Sequence, residues 1–480
     1  MRILLIYPTI TPKKTDIEPP IKTLLIGLAY VGASLRDRGH EVKIIDCLKT
    51  PERQMSDTEI EVQIVAFNPQ IVGISCMFTT YKDDALRIAK IAKRQDRLVV
   101  MGGAHASTFP EETLQDPNVD IVVVGEGENW AFNGKGIHRN PPEHDLDKFP
   151  FPAWDLLKED METIKKIGIK NKFIMRHPAI HLITSRGCPR DCYFCSVKLI
   201  WGRTWRSRSA ANVVDEIEAL NKKGYKEFYF MDDNFSVSKV RTHAICDGII
   251  KRGLDIRLAA PTGVAIDTMD RPLLEKMKKA GFYRLCFGIE TANAESQKII
   301  KKRVDLNHAK EIIKAANDLG FWTSATFIIG LPHESLKEIK DTFDFMVETG
   351  MDFPVIHLLN PQPKTEVYEI MQKEGLITED YDLNFAIGNG FKTHLFSNKE
   401  LHSIVAKLYK GFLIKKLFSI RTYINLYKKI HNFEDFRYML GLSTIPLGML
   451  KNALSGKKLS VISARQGKRE LNEEERRMNI

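Results

Sequence analysis

Long apolar runs are absent from this sequence of 480 residues. The longest candidate, residues 23–35, covers 13 residues and includes two glycines, whereas a helix that spans a bilayer needs about 20 apolar residues. Near the N-terminus, the apolar stretch of residues 3–7 ends at Pro8, which is typical of a first β-strand rather than of a signal peptide. We therefore expect a cytoplasmic protein.

The sequence also lacks an even number of cysteines and an overall negative charge. Seven cysteines in a chain expected in the cytosol argue against a disulfide framework. A hydrophobic content of 43% and a charged content of 28% exclude general disorder and collagen, and the length predicts about three domains. The net charge of +10 arises within residues 401–480, which hold sixteen Lys and Arg but only six Asp and Glu.

Residues 1–132 alternate short apolar runs with helical periods. Apolar runs of this kind are typical of parallel strands that are buried on both faces. They predict a doubly wound, Rossmann-like α/β sheet whose ligand lies at the carboxyl edge. Strands are expected at residues 3–7, 41–46, 71–75, 98–101 and 120–124, and helices at 24–38, 57–67 and 80–95.

The loops at that edge carry the candidate ligand-binding residues of this domain: Ser75, Gly102, Gly103, His105, Gly125 and Glu126. Glycines there either let a ligand approach the backbone closely or simply close tight turns. No Gly-x-Gly-x-x-Gly follows the first strand, so an ordinary dinucleotide site is disfavoured.

A proline-rich linker is expected over residues 133–175, followed by a second alternating series over 176–395. Six strand–helix units predict a partial (β/α)6 barrel of the TIM type, with its chemistry at the carboxyl ends of the strands. Strands are expected at 181–186, 226–231, 256–260, 283–289, 323–329 and 354–359, and helices at 209–223, 238–252, 270–280, 307–319 and 335–349. Residues 396–480 read as a basic, helical C-terminal region.

Three of the seven cysteines, Cys188, Cys192 and Cys195, follow the first barrel strand with the spacing Cys-x3-Cys-x2-Cys. Three thiolates on one loop can bind three irons of a [4Fe–4S] cluster, which leaves the fourth iron for a substrate. The alternatives are a zinc knuckle, which normally needs four closed ligands, and a chance grouping of thiols. Cys246 and Cys286 are predicted to be buried core thiols.

This motif in this position resembles that of the radical S-adenosylmethionine (SAM) enzymes. The resemblance implies that SAM chelates the unique iron and is cleaved reductively to a 5′-deoxyadenosyl radical. It also implies contacts to SAM from residues along the loop and the strand ends: Phe194, Asp232, Asp233, Glu290 and Gly330. His333 and Lys364 occupy positions at which related sequences usually have glycine.

The segments 102–107 and 125–128, together with residues 149–154 in the linker, are similar to those of cobalamin-binding radical SAM enzymes. The similarity covers roughly residues 1–395 and implies cobalamin at the sheet edge, facing the cluster. No Asp-x-His-x-x-Gly occurs in residues 1–130, so a lower axial histidine is not expected, which suits methyl transfer. Because Glu128 and Asn140 are only 12 positions apart, we expect this domain to lack the last helix and strand of its relatives.

The predicted function is a cobalamin-dependent radical SAM methyltransferase that acts at an unactivated carbon. One alternative is an oxidative cyclase without net methylation, similar to the anaerobic magnesium-protoporphyrin cyclases. A second is a tRNA methylthiotransferase, a family with three cysteines in its N-terminal domain, where this chain has only Cys47 and Cys76.

The expected partners are a small-molecule, lipid or isoprenoid substrate and an external electron donor of the flavodoxin or ferredoxin type. Residues 401–430 carry seven basic residues and no acid, interleaved with aromatic residues and with apolar residues at helical spacing. The apolar face could pack on the barrel or lie on a membrane surface. Nucleic acid is disfavoured because no recognisable binding module is present.

Overall fold

The computed structural model describes residues 1–9, 24–50, 53–168, 171–378, 381 and 390–454, apart from the side chains at 167–168 and 445–454. The predicted fold class, a Rossmann-like sheet followed by a partial barrel and a helical region, is confirmed. Residues 455–480 of the predicted C-terminal region lie outside the described residues.

The first domain is a parallel sheet of six strands in the order β2-β1-β5-β6-β7-β8. Alternate residues of its strands face two separate apolar layers, with Ile3 and Leu5 on one side and Leu4 and Ile6 on the other. Its strands are β1 (Arg2–Tyr7), β2 (Glu41–Asp46), the small hairpin β3 (Leu48–Thr50) and β4 (Arg53–Gln54), β5 (Ile71–Ser75), β6 (Leu98–Gly102), β7 (Ile121–Val124) and β8 (Gly136–Arg139). Its helices are α1 (Ile26–Asp37), α2 (Asp57–Phe67), α3 (Lys82–Arg94), α4 (Ala104–Thr108) and α5 (Pro110–Leu114).

Strand β8 corrects one expectation about this domain. It pairs in parallel with β7, so the sheet extends past residue 132 into the stretch predicted as linker. The connection from β7 to β8 is a single 3-10 turn, Gly127–Asn129, so a long helix is lacking there but the strand is present. Strand β8 is an edge strand with one neighbour, so it does not need the apolar run of a strand that is buried on both faces. Its sequence, Gly-Ile-His-Arg, therefore gives no strand signal.

Helix α6 (Lys158–Gly168) belongs to the linker and precedes the barrel. The barrel sheet is parallel, with β9 (Ala179–Leu182) and β16 (Phe353–Leu358) at its edges and the order β16-β15-β14-β13-β12-β9. The remaining strands are the hairpin β10 (Ser185–Gly187) and β11 (Trp205–Ser207), then β12 (Glu227–Phe230), β13 (Arg257–Val264), β14 (Phe282–Glu290) and β15 (Trp322–Ile329). The helices are α7 (Val197–Trp201), α8 (Ala210–Lys222), α9 (Lys239–Lys251), α10 (Arg271–Lys279), α11 (Ala294–Ile299), α12 (Leu306–Asp318), α13 (Leu336–Glu348) and α14 (Glu366–Lys373).

Three helices, α15 (Asn398–Leu417), α16 (Ile420–Tyr427) and α17 (Phe433–Leu454), form the C-terminal region. Helix α15 runs beside β16, where the Tyr409 hydroxyl accepts from the Ile356 amide at 2.9 Å. The segment of α16 and α17 closes the amino-terminal end of the barrel: buried Lys429 pairs with Asp352 at 2.7 Å, and the Tyr438 ring lies edge-on to Tyr283 and Trp322. In the described part of the chain, no helix is both long and apolar enough to cross a membrane.

Candidate active site

The cysteine loop leaves the carboxyl end of the barrel between β10 and α7. Cys192 is buried, Cys188 and Cys195 are partly exposed, and all three are free thiols. Burial, together with a smaller contribution from the nearby Cys192 and Cys188 thiols, raises the pKa of Cys195 to about 11. The three thiols lie on one loop, and bound iron would offset the cost of ionising them together.

Within the described ranges, no three His, Cys, Asp or Glu side chains converge as a site for a single metal ion would require. A cluster makes a different demand, because each thiolate binds its own iron. Three free thiols spread along one loop fit that donor set.

Asn234 is a site residue that was not singled out from the sequence. Its Nδ2 lies 3.5 Å from the Cys188 sulfur, while its buried Oδ1 has no hydrogen-bond partner. The Trp205 indole donates to the Asn234 backbone carbonyl at 2.9 Å and fixes the residue in place. The only signal in the sequence was its position next to the two aspartates after β12.

Asp232 is turned inwards and organises the backbone that leads to the cysteines. Its buried carboxylate accepts from the Thr184 amide at 2.7 Å, the Ser185 hydroxyl at 2.8 Å and the Ser185 amide. Burial raises its pKa, which these hydrogen bonds counteract. This anchoring also explains why the predicted strand 181–186 divides into β9 and β10.

Asp233 differs from its neighbour because it remains exposed. One carboxylate oxygen accepts from the Gly187 amide at 2.9 Å, directly before Cys188. Of the two aspartates, Asp233 is the one with surface left for a cofactor ammonium group.

Glu290 ends β14 with a left-handed backbone, φ 72°, which is uncommon for a residue with a side chain. Its Oε1 accepts from Lys302 at 3.1 Å and from the Thr326 hydroxyl at 3.2 Å. Burial alone would lower the pKa of Lys302, but the Glu290 carboxylate and Cys192 outweigh it and the pKa is raised. The pair thus places a fixed dipole beside the cysteine loop.

Gly330 directly follows β15 and has φ 95°. Its amide donates to the buried Glu334 carboxyl group at 2.7 Å, and a Cβ there would lie 3.2 Å from Leu401 and 3.3 Å from Phe391. Residues 391 and 401 therefore cover the position that a side chain would take, and the Gly330 amide is already bound to Glu334. Phe194 is half-buried between the cysteines, edge-on to the Tyr193 ring.

The carboxyl edge of the first domain gathers the other predicted residues. Ser75 pairs with Gly102 at the ends of β5 and β6. Gly103 and Gly125 have φ 99° and 88°, and a Cβ on Gly103 would meet the Cys76 carbonyl at 2.6 Å. These two glycines are thus required by the chain's own backbone.

His105 is the residue at this edge that points to a ligand. Its Nδ1 lies 3.2 Å from the Thr79 hydroxyl, while its Nε2 is buried with no hydrogen-bond partner. Burial lowers its pKa, so the ring is neutral. A buried ring nitrogen without a partner at this edge of the sheet fits a polar cofactor such as a corrin.

Glu126 and Glu128 join the two domains. Glu126 accepts from Arg186 at 2.7 Å and from Arg206 at 2.9 Å, and Glu128 accepts from Arg186 at 2.6 Å. All four side chains are buried. Since Arg186 precedes Cys188 by two residues, this network, Glu126–Glu128–Arg186–Arg206, fixes the sheet edge directly against the cysteine loop.

The comparisons with known proteins agree with this arrangement. A family model described as the Radical SAM superfamily matches residues 182–346, and one described as the B12 binding domain matches residues 22–131. The barrel and its cysteine loop define a radical SAM enzyme.

Similar proteins show to which family of radical SAM enzymes the chain belongs. A Pyrococcus horikoshii protein named an uncharacterized methyltransferase is 31% identical, covering 88% of this chain and 96% of the relative. Cytidylyl-2-hydroxyethylphosphonate methyltransferase of Streptomyces wedmorensis is 28% identical, covering 86% and 90%. The chain belongs to the cobalamin-binding radical SAM family.

A solved structure shows the same fold. The radical SAM methyltransferase TsrM of Kitasatospora setae, with cobalamin and a [4Fe–4S] cluster bound, superimposes with a TM-score of 0.66 at 15% identity. The match covers 95% of this chain and 99% of TsrM.

Proposed function

We propose that this radical SAM enzyme transfers a methyl group to an unactivated carbon of a small molecule. The observation that carries this proposal is the apposition of the two cofactor edges. Helix α4, at the carboxyl edge of the sheet, lies against α7 of the cysteine loop, and Lys364 after β16 donates to the Thr108 carbonyl. A corrin at one edge and a cluster at the other would face a common space.

In this proposal, Cys188, Cys192 and Cys195 hold the cluster, and SAM is bounded by Phe194, Asp233, Glu290 and Gly330. Asp232 acts as a positioning residue. Ser75, Gly102, Gly103, His105 and Gly125 line the cobalamin site, and Glu126 holds the domains together. When bound, the cluster and SAM supply a radical and cobalamin carries the methyl group.

The chain's own residues then orient these groups and exclude water. The Lys302 ammonium group pairs with the Glu290 side chain at 3.1 Å and fixes its position where SAM would lie. The network of Glu126, Glu128, Arg186 and Arg206 fixes the spacing of the two edges, because buried ion pairs have narrow geometric tolerance.

The first test is the metal content after anaerobic reconstitution with iron, sulfide and hydroxocobalamin. We expect about four iron atoms and one cobalt per chain. Cys192→Ala should lose iron and SAM cleavage but keep cobalt, while the matched control Cys246→Ala, a buried core thiol on α9, should keep both metals. Iron without cobalt in the wild type would remove the methyltransferase proposal.

The products separate methyl transfer from its alternative. Methyl transfer requires S-adenosylhomocysteine to form together with 5′-deoxyadenosine, whereas radical cyclisation forms 5′-deoxyadenosine alone. The cyclase is retained as second candidate because a magnesium-protoporphyrin monomethyl ester cyclase of Rubrivivax gelatinosus is 26% identical over 87% of this chain.

A methylthiotransferase is less well supported, since Cys47 and Cys76 are buried in the core of the sheet domain. The further partners we propose are a one-electron donor of the flavodoxin or ferredoxin type and a small-molecule substrate, with a lipid or isoprenoid included.

A further inference from the structure

The C-terminal helices carry a concentration of exposed apolar side chains. Phe418 is 87% exposed, Tyr427 82% and Phe433 79%. We call the whole set the outward apolar surface; it consists of Ile414, Leu417, Phe418, Ile420, Tyr423, Ile424, Tyr427, Phe433, Phe436 and Leu440. Ten such side chains within 27 residues exceed the scattered apolar exposure that is normal for a protein surface.

The opposite face of each helix is already fixed to the barrel. Phe412 of α15 is buried, Asn425 of α16 donates to the Gly350 carbonyl at 3.3 Å, and Glu434 of α17 pairs with Arg176 at 2.6 Å. The exposed residues recur at intervals of three and four, which places them on the other side of each helix. The outward apolar surface therefore cannot turn inwards without breaking these contacts.

The exposed charged side chains within residues 401–440 all have one sign. Lys407, Lys410, Lys415, Arg421 and Arg437 are exposed. Residues 401–440 contain two acids, Glu434 and Asp435; the first pairs with Arg176 and Arg257, and the second is buried. Within residues 401–440, the surface thus offers aliphatic and aromatic side chains with basic groups and no exposed carboxylate. On the neighbouring helix α13, the exposed Glu348 is paired with Lys310 at 2.6 Å.

We infer that the outward apolar surface docks this enzyme on an anionic lipid bilayer. Apolar side chains enter the boundary between headgroups and acyl chains, aromatic rings suit that depth, and lysines meet anionic headgroups. A second copy of the chain would bring like charges together across a symmetric contact, and aliphatic side chains have no role in binding a phosphate backbone. The surface lies at the amino-terminal end of the barrel, opposite the cysteine loop.

The test is co-sedimentation of the full reconstituted chain with vesicles rich in phosphatidylglycerol and with vesicles of phosphatidylcholine alone. We expect binding to the anionic vesicles, weakened by salt. Phe418→Ser combined with Tyr427→Ser should abolish binding. Lys410→Gln combined with Lys415→Gln should weaken it by about fivefold for each lysine.

The matched controls are Val240→Ser and Leu336→Ser, which remove apolar side chains 81% and 64% exposed on barrel helices. They should bind as the wild type does. Failure of the wild type to bind anionic vesicles would overturn the inference, as would equal loss in the control variants. Sedimentation of the wild type as a dimer that Phe418→Ser with Tyr427→Ser dissociates would assign the surface to self-association instead.

Discussion

At the scale of single residues, the side-chain amide of Asn234 donates through Nδ2 towards the Cys188 sulfur, while its side-chain oxygen Oδ1 is buried without a partner. Hydrogen bonds to ligand sulfurs stabilise the reduced, more negative form of an iron–sulfur cluster. The residue thus contributes to the ease with which the cluster accepts an electron.

Replacing Asn234 by leucine removes this donor at similar volume. The midpoint potential of the cluster, followed by electron paramagnetic resonance during a redox titration, should fall in Asn234→Leu. Ser236→Ala, two residues further along the loop and bonded to Ala265 and Thr268 instead, should leave it unchanged. An unaltered potential in Asn234→Leu would show that the 3.5 Å contact has no electronic consequence.

Glu334 gives the barrel a pH-dependent stability. Burial raises its pKa to about 8 from an ordinary 4.5, so the folded state keeps a proton that the unfolded state releases. Stability is then lost as the pH rises from about 5 to 8. Relative to wild type, Glu334→Gln should gain up to about 1.4 kcal/mol of unfolding free energy per pH unit in this window.

Urea unfolding of the cofactor-free chain at both ends of this pH window measures the difference. Glu369→Gln changes an exposed glutamate on α14 and should show no such trend. A parallel pH dependence for Glu334→Gln and wild type would mean that Glu334 is ionised in the folded protein.

At the scale of elements, the cysteine loop depends on the end of β12. The Asp232 carboxylate holds the backbone of Thr184 and Ser185, which joins β9 to β10. Asp232→Ala would leave buried amides without an acceptor and should cost about 3 kcal/mol of stability. Iron retention after reconstitution should fall with it.

Asp233→Asn serves as the comparison, because Asp233 is exposed and a side-chain oxygen remains to accept from Gly187. The Asp233→Asn variant should have nearly the same unfolding midpoint as the wild type. If Asp232→Ala kept both its unfolding midpoint and its iron, the carboxylate would have to serve the cofactor and not the loop.

Elements with continuous apolar runs were predictable. Strands β2 and β5 have the predicted bounds, since buried parallel strands appear in the sequence as continuous apolar runs. Helix α2 also has the predicted bounds, and a capping box of Ser56 and Glu59 fixes its start. The edge strand β8 and the break between β9 and β10 could not be predicted in this way. The first lacks an apolar run, and the second depends on Asp232, which is distant in sequence.

In the candidate site, too, only the residues with a local sequence pattern were predictable. The cysteine spacing is local and identified the loop. The roles of Asp232, Asn234 and Glu126 depend on partners that are between 46 and 80 positions away. No local pattern distinguishes a carboxylate that binds a cofactor from one that anchors a backbone.

At the scale of the whole molecule, the two domains meet through buried charge. Glu126→Gln would leave Arg186 and Arg206 short of a carboxylate in a buried setting, which should cost about 3 to 5 kcal/mol. The domain contact should loosen, and limited proteolysis within residues 140–157 should become faster.

Glu111→Gln is the matched control, since Glu111 pairs with Arg139 at 2.7 Å on an exposed surface. Exposed pairs contribute little, so this variant should resist proteolysis as the wild type does. Equal resistance in Glu126→Gln would mean that packing alone, without the ion pairs, fixes the domains.

The closure of the barrel by the last helices has a consequence for synthesis on the ribosome. The ring of Tyr438 fills the amino-terminal end of the barrel beside Tyr283 and Trp322. The N-terminus emerges from the ribosome first, so Cys195 emerges about 240 residues before Tyr438. Throughout that interval the thiols are in place while the barrel beneath them is unfinished, and oxidation during translation is the hazard that this order of folding creates.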